Sequence, residues 1–191
     1  MHCHILLASY LTWVVAKSPI IHFFAESRVV KWVGLDFPVS ANGKTEADVY
    51  GDAMKIPFKT QFLDTVFCSQ VTEHVPEPAR LMKEIARALK PGGHMILTAP
   101  QTWGLHEEPH DYFRFTRYGL SYLAKKSGLT VEYVKPYGGI LALLGQLIIL
   151  HAHFEQPILR SFNVVLSLSF LGLDKNLPQA KGYARTHISL H

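Results

Sequence analysis

The sequence predicts an α/β fold: an open, mostly parallel sheet with helices on both faces. Two observations carry this. Asp64–Pro100 (DTVFCSQVTEHVPEPARLMKEIARALKPGGHMILTAP) reads without a break as strand, exposed turn, amphipathic helix, Pro-Gly-Gly turn and second strand, the pattern of a βαβ unit. On either side of it, short segments rich in β-branched and aromatic residues alternate with loops and helix-period segments. The 191 residues, 48% of them hydrophobic and 18% charged, suffice to bury the core of one domain spanning 1–191.

Ile5–Ala16 (ILLASYLTWVVA) is largely apolar. It has the length of a secretory signal's hydrophobic stretch and is too short to span a bilayer; no Lys or Arg precedes it, so a buried strand or helix is expected. Val29–Asp36 (VVKWVGLD) reads as a strand ending on an acid. Pro38–Thr45, with Ser, Asn and Gly, reads as loop, and Ala47–Gly51 and Thr65–Ser69 as two short strands. In Pro78–Leu89, Leu81, Ile85, Ala88 and Leu89 share one helical face, while Arg80, Lys83, Glu84 and Arg87 face outward. Lys90-Pro91-Gly92 stops that helix, and Gly93–Thr98 (GHMILT) follows as a central strand. Thr116 caps a second amphipathic helix that runs through Lys126 and ends at Ser127-Gly128, and Leu129–Val134 is a further strand.

From Gly138 the character changes. GGILALLGQLIILHAHF and NVVLSLSFLGL are apolar segments separated by Pro157 and Arg160, and neither reaches the roughly twenty uninterrupted apolar residues of a spanning helix. Buried or lid helices are expected over 138–175, with peripheral contact of 138–173 with a membrane or an apolar substrate as the sharper alternative.

The formal charge of +4 is dispersed, with Lys125-Lys126 the only adjacent basic pair, so charge does not imply a nucleic-acid partner. Cys3 and Cys68 stand far apart and suggest neither a disulfide framework nor a thiolate metal cluster, so a reducing, cytoplasmic setting is expected.

In a parallel sheet the ligand site lies at the carboxyl ends of the strands, where Gln70, Glu73, His74, Pro100 and Gln101 fall. Asp36 closes its strand, and an acid there can accept two hydrogen bonds from the vicinal hydroxyls of a ribose. In Gly51-Asp52-Ala53, the carboxylate can take the exocyclic amine of an adenine and the Ala53 amide a ring nitrogen, with Ile56, Pro57 and Phe58 covering the ring. Each acid alone could equally be a solvated turn residue; two at successive strand ends suggest a nucleoside site. The cluster His106, Glu107, Glu108, His110 and Asp111 mixes imidazoles with carboxylates. Pro109 interrupts helical pairing within it, and no third distant His or Cys stands at a clear spacing, so no metal is expected.

VGLDFP, GDAMKIPF, DTVFCSQ, TEHVPEP and LMKEIARALKPGGHMILTAP, in this order, resemble the class I S-adenosylmethionine-dependent methyltransferases, in particular the type 11 methyltransferase domain family, over Lys17–Val134. The resemblance implies a Rossmann-like seven-stranded sheet and S-adenosylmethionine as cofactor. Asp36 would then hold the ribose, Asp52 and Ala53 the adenine, and Gln70 would lie beside the methionine part. It also implies that Glu73 and His74 border the methyl-transfer pocket. The stretch EPHDYFRFT resembles the one preceding a helix that helps cover the active site, so Tyr112, Phe113 and Arg114 are implied to line an acceptor pocket. The Arg114 guanidinium suits an anionic acceptor group, or alternatively pairs with a local acid.

Displacement at a sulfonium methyl chiefly needs alignment of the reactants, worth about 7 to 11 kcal/mol. A hydroxyl or amine acceptor also needs a base, for which the imidazoles of His74 and His110 are the two candidates. The implied acceptor is a small or lipid-linked molecule. One departure stands out: family members carry a glycine-rich turn after the first strand, whereas this chain has Trp13, Val14, Val15 and Ala16 about twenty residues before Asp36 and no glycine before Gly34. Two explanations fit, an altered turn, or a chain whose first sixteen residues are not the ancestral first strand. The alternative function is a degenerate methyltransferase fold that binds no cofactor and acts as a binding or scaffold protein.

Overall fold

The computed structural model describes residues 4–8, 32–37, 47–151 and 185–190. Seven strands form one sheet: β1 (His4–Ala8), β2 (Trp32–Asp36), β3 (Val49–Tyr50), β4 (Leu63–Ser69), β5 (Leu89–Pro100), β6 (Val131–Tyr137) and β7 (Arg185–Leu190). Their order is β3-β2-β1-β4-β5-β7-β6. The pairs β1–β2, β1–β4, β2–β3 and β4–β5 are parallel, and β7 runs antiparallel to both β5 and β6. The sheet is therefore Rossmann-like and mostly parallel, as expected.

β4 buries three consecutive residues, Val66, Phe67 and Cys68, which requires cover on both faces of an interior strand. Beside it Met95, Leu97 and Ala99 of β5 are buried in alternation. Helix α1 (Pro78–Ala88) begins with proline, whose missing N–H costs nothing at the first turn, and buries Leu81, Met82, Ile85 and Ala88. Each of these larger apolar side chains contributes about 1.5 to 3 kcal/mol by leaving water. Helix α2 (Arg117–Lys126) is capped as expected: the Thr116 hydroxyl accepts the Gly119 N–H at 3.1 Å, and the chain leaves the helix through Gly128 at φ 84°. The two helices lie against one another, with α1 on β5 and α2 on β6 and β7, so they share a face of the sheet.

Several boundaries differ from expectation. The first helix stops before Lys90, because Leu89 is already extended and paired with Leu63. Thr65 pairs with His94, so the residues between Leu89 and His94 bulge out of a strand that continues through the Pro-Gly-Gly sequence. Gly92 takes φ 74° there, and a Cβ on Gly93 would stand 2.9 Å from the Lys90 carbonyl and 3.0 Å from that of Asp64. The strand expected at Leu129 begins at Val131 and runs to Tyr137, and the one expected over Ala47–Gly51 shrinks to Val49–Tyr50.

At the amino end, β1 sits between β2 and β4, so His4–Ala8 is a central strand of the sheet. Residues 9–31, which include Trp13–Ala16 and the expected glycine-rich turn position, lie outside the described residues. Of the expected apolar segment at 138–175, helix α3 (Ile140–His151) is described; it buries Ala142 and Leu143 and leaves Ile140 and Leu144 exposed. The second segment lies outside the described residues. Among the described residues no helix is long and apolar enough to cross a membrane. Strand β7 was not anticipated, although Thr186, Ile188 and Leu190 alternate with Arg185, His187 and Ser189 at the strand period.

Candidate active site

Asp36 is the last residue of β2 and pairs in register with Tyr50 of β3, and its carbonyl accepts the Gly51 N–H at 2.9 Å. Asp52, two residues beyond Tyr50, therefore stands at the same sheet edge as Asp36, on the neighbouring parallel strand. The Asp36 carboxylate accepts the Phe37 N–H at 2.7 Å, and that of Asp52 caps the short turn Ala53–Lys55 by accepting the Met54 N–H at 2.7 Å. Gly51 is required by crowding: a Cβ would meet the Pro57 ring at 3.0 Å and Leu35 at 3.3 Å.

The loop after Asp52 is held from α1 by two residues assigned to the outer face. Glu84 accepts the Ile56 N–H at 3.0 Å, while Arg87 donates to the carbonyls of Ile56 and Phe58 and pairs with Glu84 at 2.8 Å. Its hydrogen bond to Arg87 holds the Glu84 carboxyl below the usual carboxylate range. Both lie on α1 at i, i+3, a spacing that reads as a solvent-exposed pair; only the tertiary fold reveals the loop between them.

Gln70 leaves β4 at φ 54°, its N–H donating to the Thr98 carbonyl at 2.9 Å and its side-chain amide to the Thr98 hydroxyl at 3.0 Å. The next residues form a short turn, Thr72–His74, whose Glu73 carbonyl accepts the N–H groups of Tyr112 and Phe113 at 2.9 and 3.2 Å. These bonds lay the loop that follows β5 onto the turn that follows β4. Phe115 N–H to the Pro100 carbonyl, at 2.9 Å, ties down its far end.

Inside this junction the charges are not arranged as expected. Glu73 and His74, expected to border the pocket, are enclosed, with side chains 0% and 7% exposed. His74 donates Nδ1–H to the His110 carbonyl at 2.8 Å, and burial pushes its pKa down. Burial likewise pushes Glu73 up to about 8, and burial together with the charges of Asp111 and Asp36 raises Glu107 to about 7. Arg114 takes the alternative partner foreseen for it: its guanidinium grips Asp111 with two bonds of 2.6 and 2.7 Å, and donates to the carbonyls of Phe113, Gly104 and Trp103. With its five N–H donors engaged, it presents none to an acceptor, and its hydrogen bonds hold Asp111 down at about 2.

His110, by contrast, is exposed, with Nδ1 3.1 Å from the Tyr112 hydroxyl. Leu105, Tyr112 and Phe113 expose apolar surface on the same loop, and Phe37 on the chain leaving Asp36. The metal expectation, drawn from residues 106–111 alone, lacks the ligands that the fold adds, since Glu73 and His74 meet His106 with potential ligand atoms all within 4.8 Å. Cys68 is buried beneath, its thiol pushed up to about 12 chiefly by burial.

The sheet order, the βαβ unit and the acids at neighbouring strand ends define the Rossmann-like class I methyltransferase architecture. The family model described as Methyltransferase domain matches residues 26–97, less than half of the chain. Demethylmenaquinone methyltransferase of Bacillus licheniformis is 33% identical over 94 residues, covering 43% of this chain and 40% of that protein. Ubiquinone biosynthesis O-methyltransferase of Alkalilimnicola ehrlichii is 40% identical over 60 residues, 31% of this chain and 22% of that protein. The matches thus span less than half the length of these two curated relatives. Among solved structures, phosphoethanolamine N-methyltransferase 2 of Haemonchus contortus in complex with S-adenosyl-L-methionine aligns with a TM-score of 0.57 at 17% identity, covering 99% of this chain and 48% of that one, a likeness of fold.

Proposed function

We propose that this chain catalyses S-adenosylmethionine-dependent methyl transfer to an apolar small-molecule acceptor bearing a hydroxyl or amine. The observation that carries the reading is the placing of Asp36 and Asp52 at the ends of adjacent parallel strands, joined by the Gly51–Asp36 hydrogen bond. Two acceptor carboxylates at that separation suit the hydroxyls of a ribose and the amine of an adenine, and the Ile56–Phe58 loop, fixed by Glu84 and Arg87, suits the ring between them. The cofactor supplies an activated methyl on a sulfonium, which leaves as a neutral thioether.

The chain's part is to orient the reactants and move one proton. Asp36 holds the ribose, Asp52 and the Ala53 amide the adenine, and Gln70, pinned to Thr98, faces the methionine part. His110, its Nδ1 held 3.1 Å from the Tyr112 hydroxyl, is the imidazole that takes the acceptor's proton as the new bond to the methyl carbon forms. His74 is unsuited to that step because it is enclosed. Leu105, Tyr112 and Phe113 provide an apolar rim for the acceptor. The two curated relatives are named for menaquinone and ubiquinone biosynthesis, which favours an aromatic acceptor.

Calorimetry with S-adenosylhomocysteine tests the reading. Wild type is expected to bind saturably, and Asp36→Ala to lose the roughly 10- to 100-fold that charge-assisted hydrogen bonds of about 1.5 to 3 kcal/mol provide. No binding by wild type, or unchanged affinity in both Asp36→Ala and Asp52→Ala, overturns it and leaves the cofactor-free scaffold in its place.

A further inference from the structure

The junction between the Thr72–His74 turn and the loop after β5 contains acceptors without donors. Both oxygens of Glu73, both of Glu107 and Nε2 of His74 are buried and have no hydrogen-bond partner among the described residues. A buried carboxylate in that state loses its hydration without compensation, and native interiors avoid this unless something unseen satisfies the group. Arg114 lowers the charge penalty at Glu73 but has its N–H donors on Asp111 and three carbonyls.

The His74 imidazole is set in the same sense. A carbonyl only accepts, so the 2.8 Å contact of His74 Nδ1 with the His110 carbonyl puts the proton on Nδ1 and leaves the lone pair on Nε2. His106 Nδ1 stands 3.1 Å from the Gly104 carbonyl and 3.4 Å from both Asp111 and the Arg114 guanidinium. An imidazole whose second nitrogen is fixed by a carbonyl or carboxylate is how proteins orient a metal-binding histidine. His74 Nε2 lies 3.9 Å from Glu73 Oε1 and 3.8 Å from Glu107 Oε2. Those distances are too long for hydrogen bonds and exceed by about half an ångström the roughly 3.4 Å between two ligands at the tetrahedral angle when each bond is about 2.1 Å, so a small inward shift of the side chains would close the site on an ion.

We propose that Glu73, His74, His106 and Glu107 form a binding site for one divalent cation of the zinc class, which clamps the turn after β4 to the loop after β5. Two imidazoles and two carboxylates match zinc and its neighbours rather than magnesium or calcium, which take oxygen alone. The site is closed: the four side chains are between 0% and 15% exposed, as in four-ligand structural sites with no position left for a substrate. Two ligands follow β4 and two follow β5, so the ion joins segments far apart in sequence at the edge where Asp36 and Gln70 stand. The proposal is independent of methyl transfer, since it needs neither cofactor nor acceptor.

The test uses the full chain, stripped with a chelator and titrated with Zn²⁺ and with Co²⁺. One ion per chain is expected, with visible d–d bands for tetrahedral Co²⁺ and a Tm that falls on stripping and recovers on adding Zn²⁺. His106→Ala and Glu107→Gln are each expected to weaken Co²⁺ binding by more than the roughly 10- to 100-fold that loss of a ligand's outer partner costs. Their Tm values after stripping should match that of stripped wild type, which separates lost binding from misfolding. Glu108→Gln, on an exposed neighbour, should bind as wild type does. A chelator-insensitive Tm with no stoichiometric uptake would show that the carboxyls are instead kept neutral by protons, and overturns the proposal. So does binding that is undiminished in both variants.

Discussion

Two clusters of acids occupy the same edge of the sheet and are built in opposite ways. At the ends of β2 and β3, Asp36 and Asp52 are partly open to water, and each engages a backbone N–H of its own turn. After β4 and β5, Glu73 and Glu107 are enclosed and their carboxylates meet no donor, while Asp111 beside them is gripped by Arg114. The first arrangement leaves carboxylates within reach of water. The second holds two loops together, and its charges are tolerable only when paired or neutralised. Position at a strand end therefore does not settle a residue's task; its supply of hydrogen-bond donors does.

The contrast yields tests of decreasing size. Arg114→Ala should be the most damaging, because it strands an Asp111 side chain that is 1% exposed; about 3 to 5 kcal/mol of stability should disappear in denaturant titration. A loss under 1 kcal/mol would mean that the loop cluster is as solvated as the edge that carries Asp36 and Asp52. Asp36→Ala should show the reverse pattern, a large loss of S-adenosylhomocysteine affinity with stability changed by less than about 1 kcal/mol. Arg87→Ala sits between them: it frees the Ile56–Phe58 loop, and a destabilisation of about 1 to 2 kcal/mol should accompany a several-fold weaker cofactor affinity. If stability falls and affinity does not, the latch serves the fold alone.

The smallest effect is a pH dependence. Glu84 has a folded pKa below its ordinary 4.5, so its contribution is fully present above that value and fades as the pH falls through the depressed one. Comparing Glu84→Gln with wild type from pH 7 down to pH 3 should show a gap of under about 1 kcal/mol that closes toward acid, as suits a partly exposed pair. Cys68 gives a control on integrity. With its thiol at about 12 and fully buried, it should resist alkylation at pH 8 in the folded protein and react once denaturant is added.

Asp36 and Asp52 were legible because each stands at the end of a short β-branched run, where sequence position and sheet edge coincide. Helices α1 and α2 were legible from their apolar faces and, in α2, from Thr116 and Gly128. The loop cluster was not, because Glu73–His74 and His106–Glu107 lie more than thirty residues apart and meet only when β4 and β5 pair side by side. Glu84 and Arg87 misled for a related reason: helical periodicity distinguishes core from non-core faces but does not say what loop returns to the non-core face. Strand β5 ran longer than expected because a bulge absorbed the proline and glycines that usually mark a stop. The alternation in β7 was present but short, and a six-residue period-2 pattern is weak beside the apolar stretches before it.

Among the described residues, strand β6 is hydrogen-bonded within the sheet only to β7, and β7 in turn bridges it to β5. During synthesis β6 leaves the ribosome well before β7 and finds its neighbouring place unfilled. Until Arg185–Leu190 arrives and threads between them, β5 has a bare edge able to recruit a strand from another nascent chain.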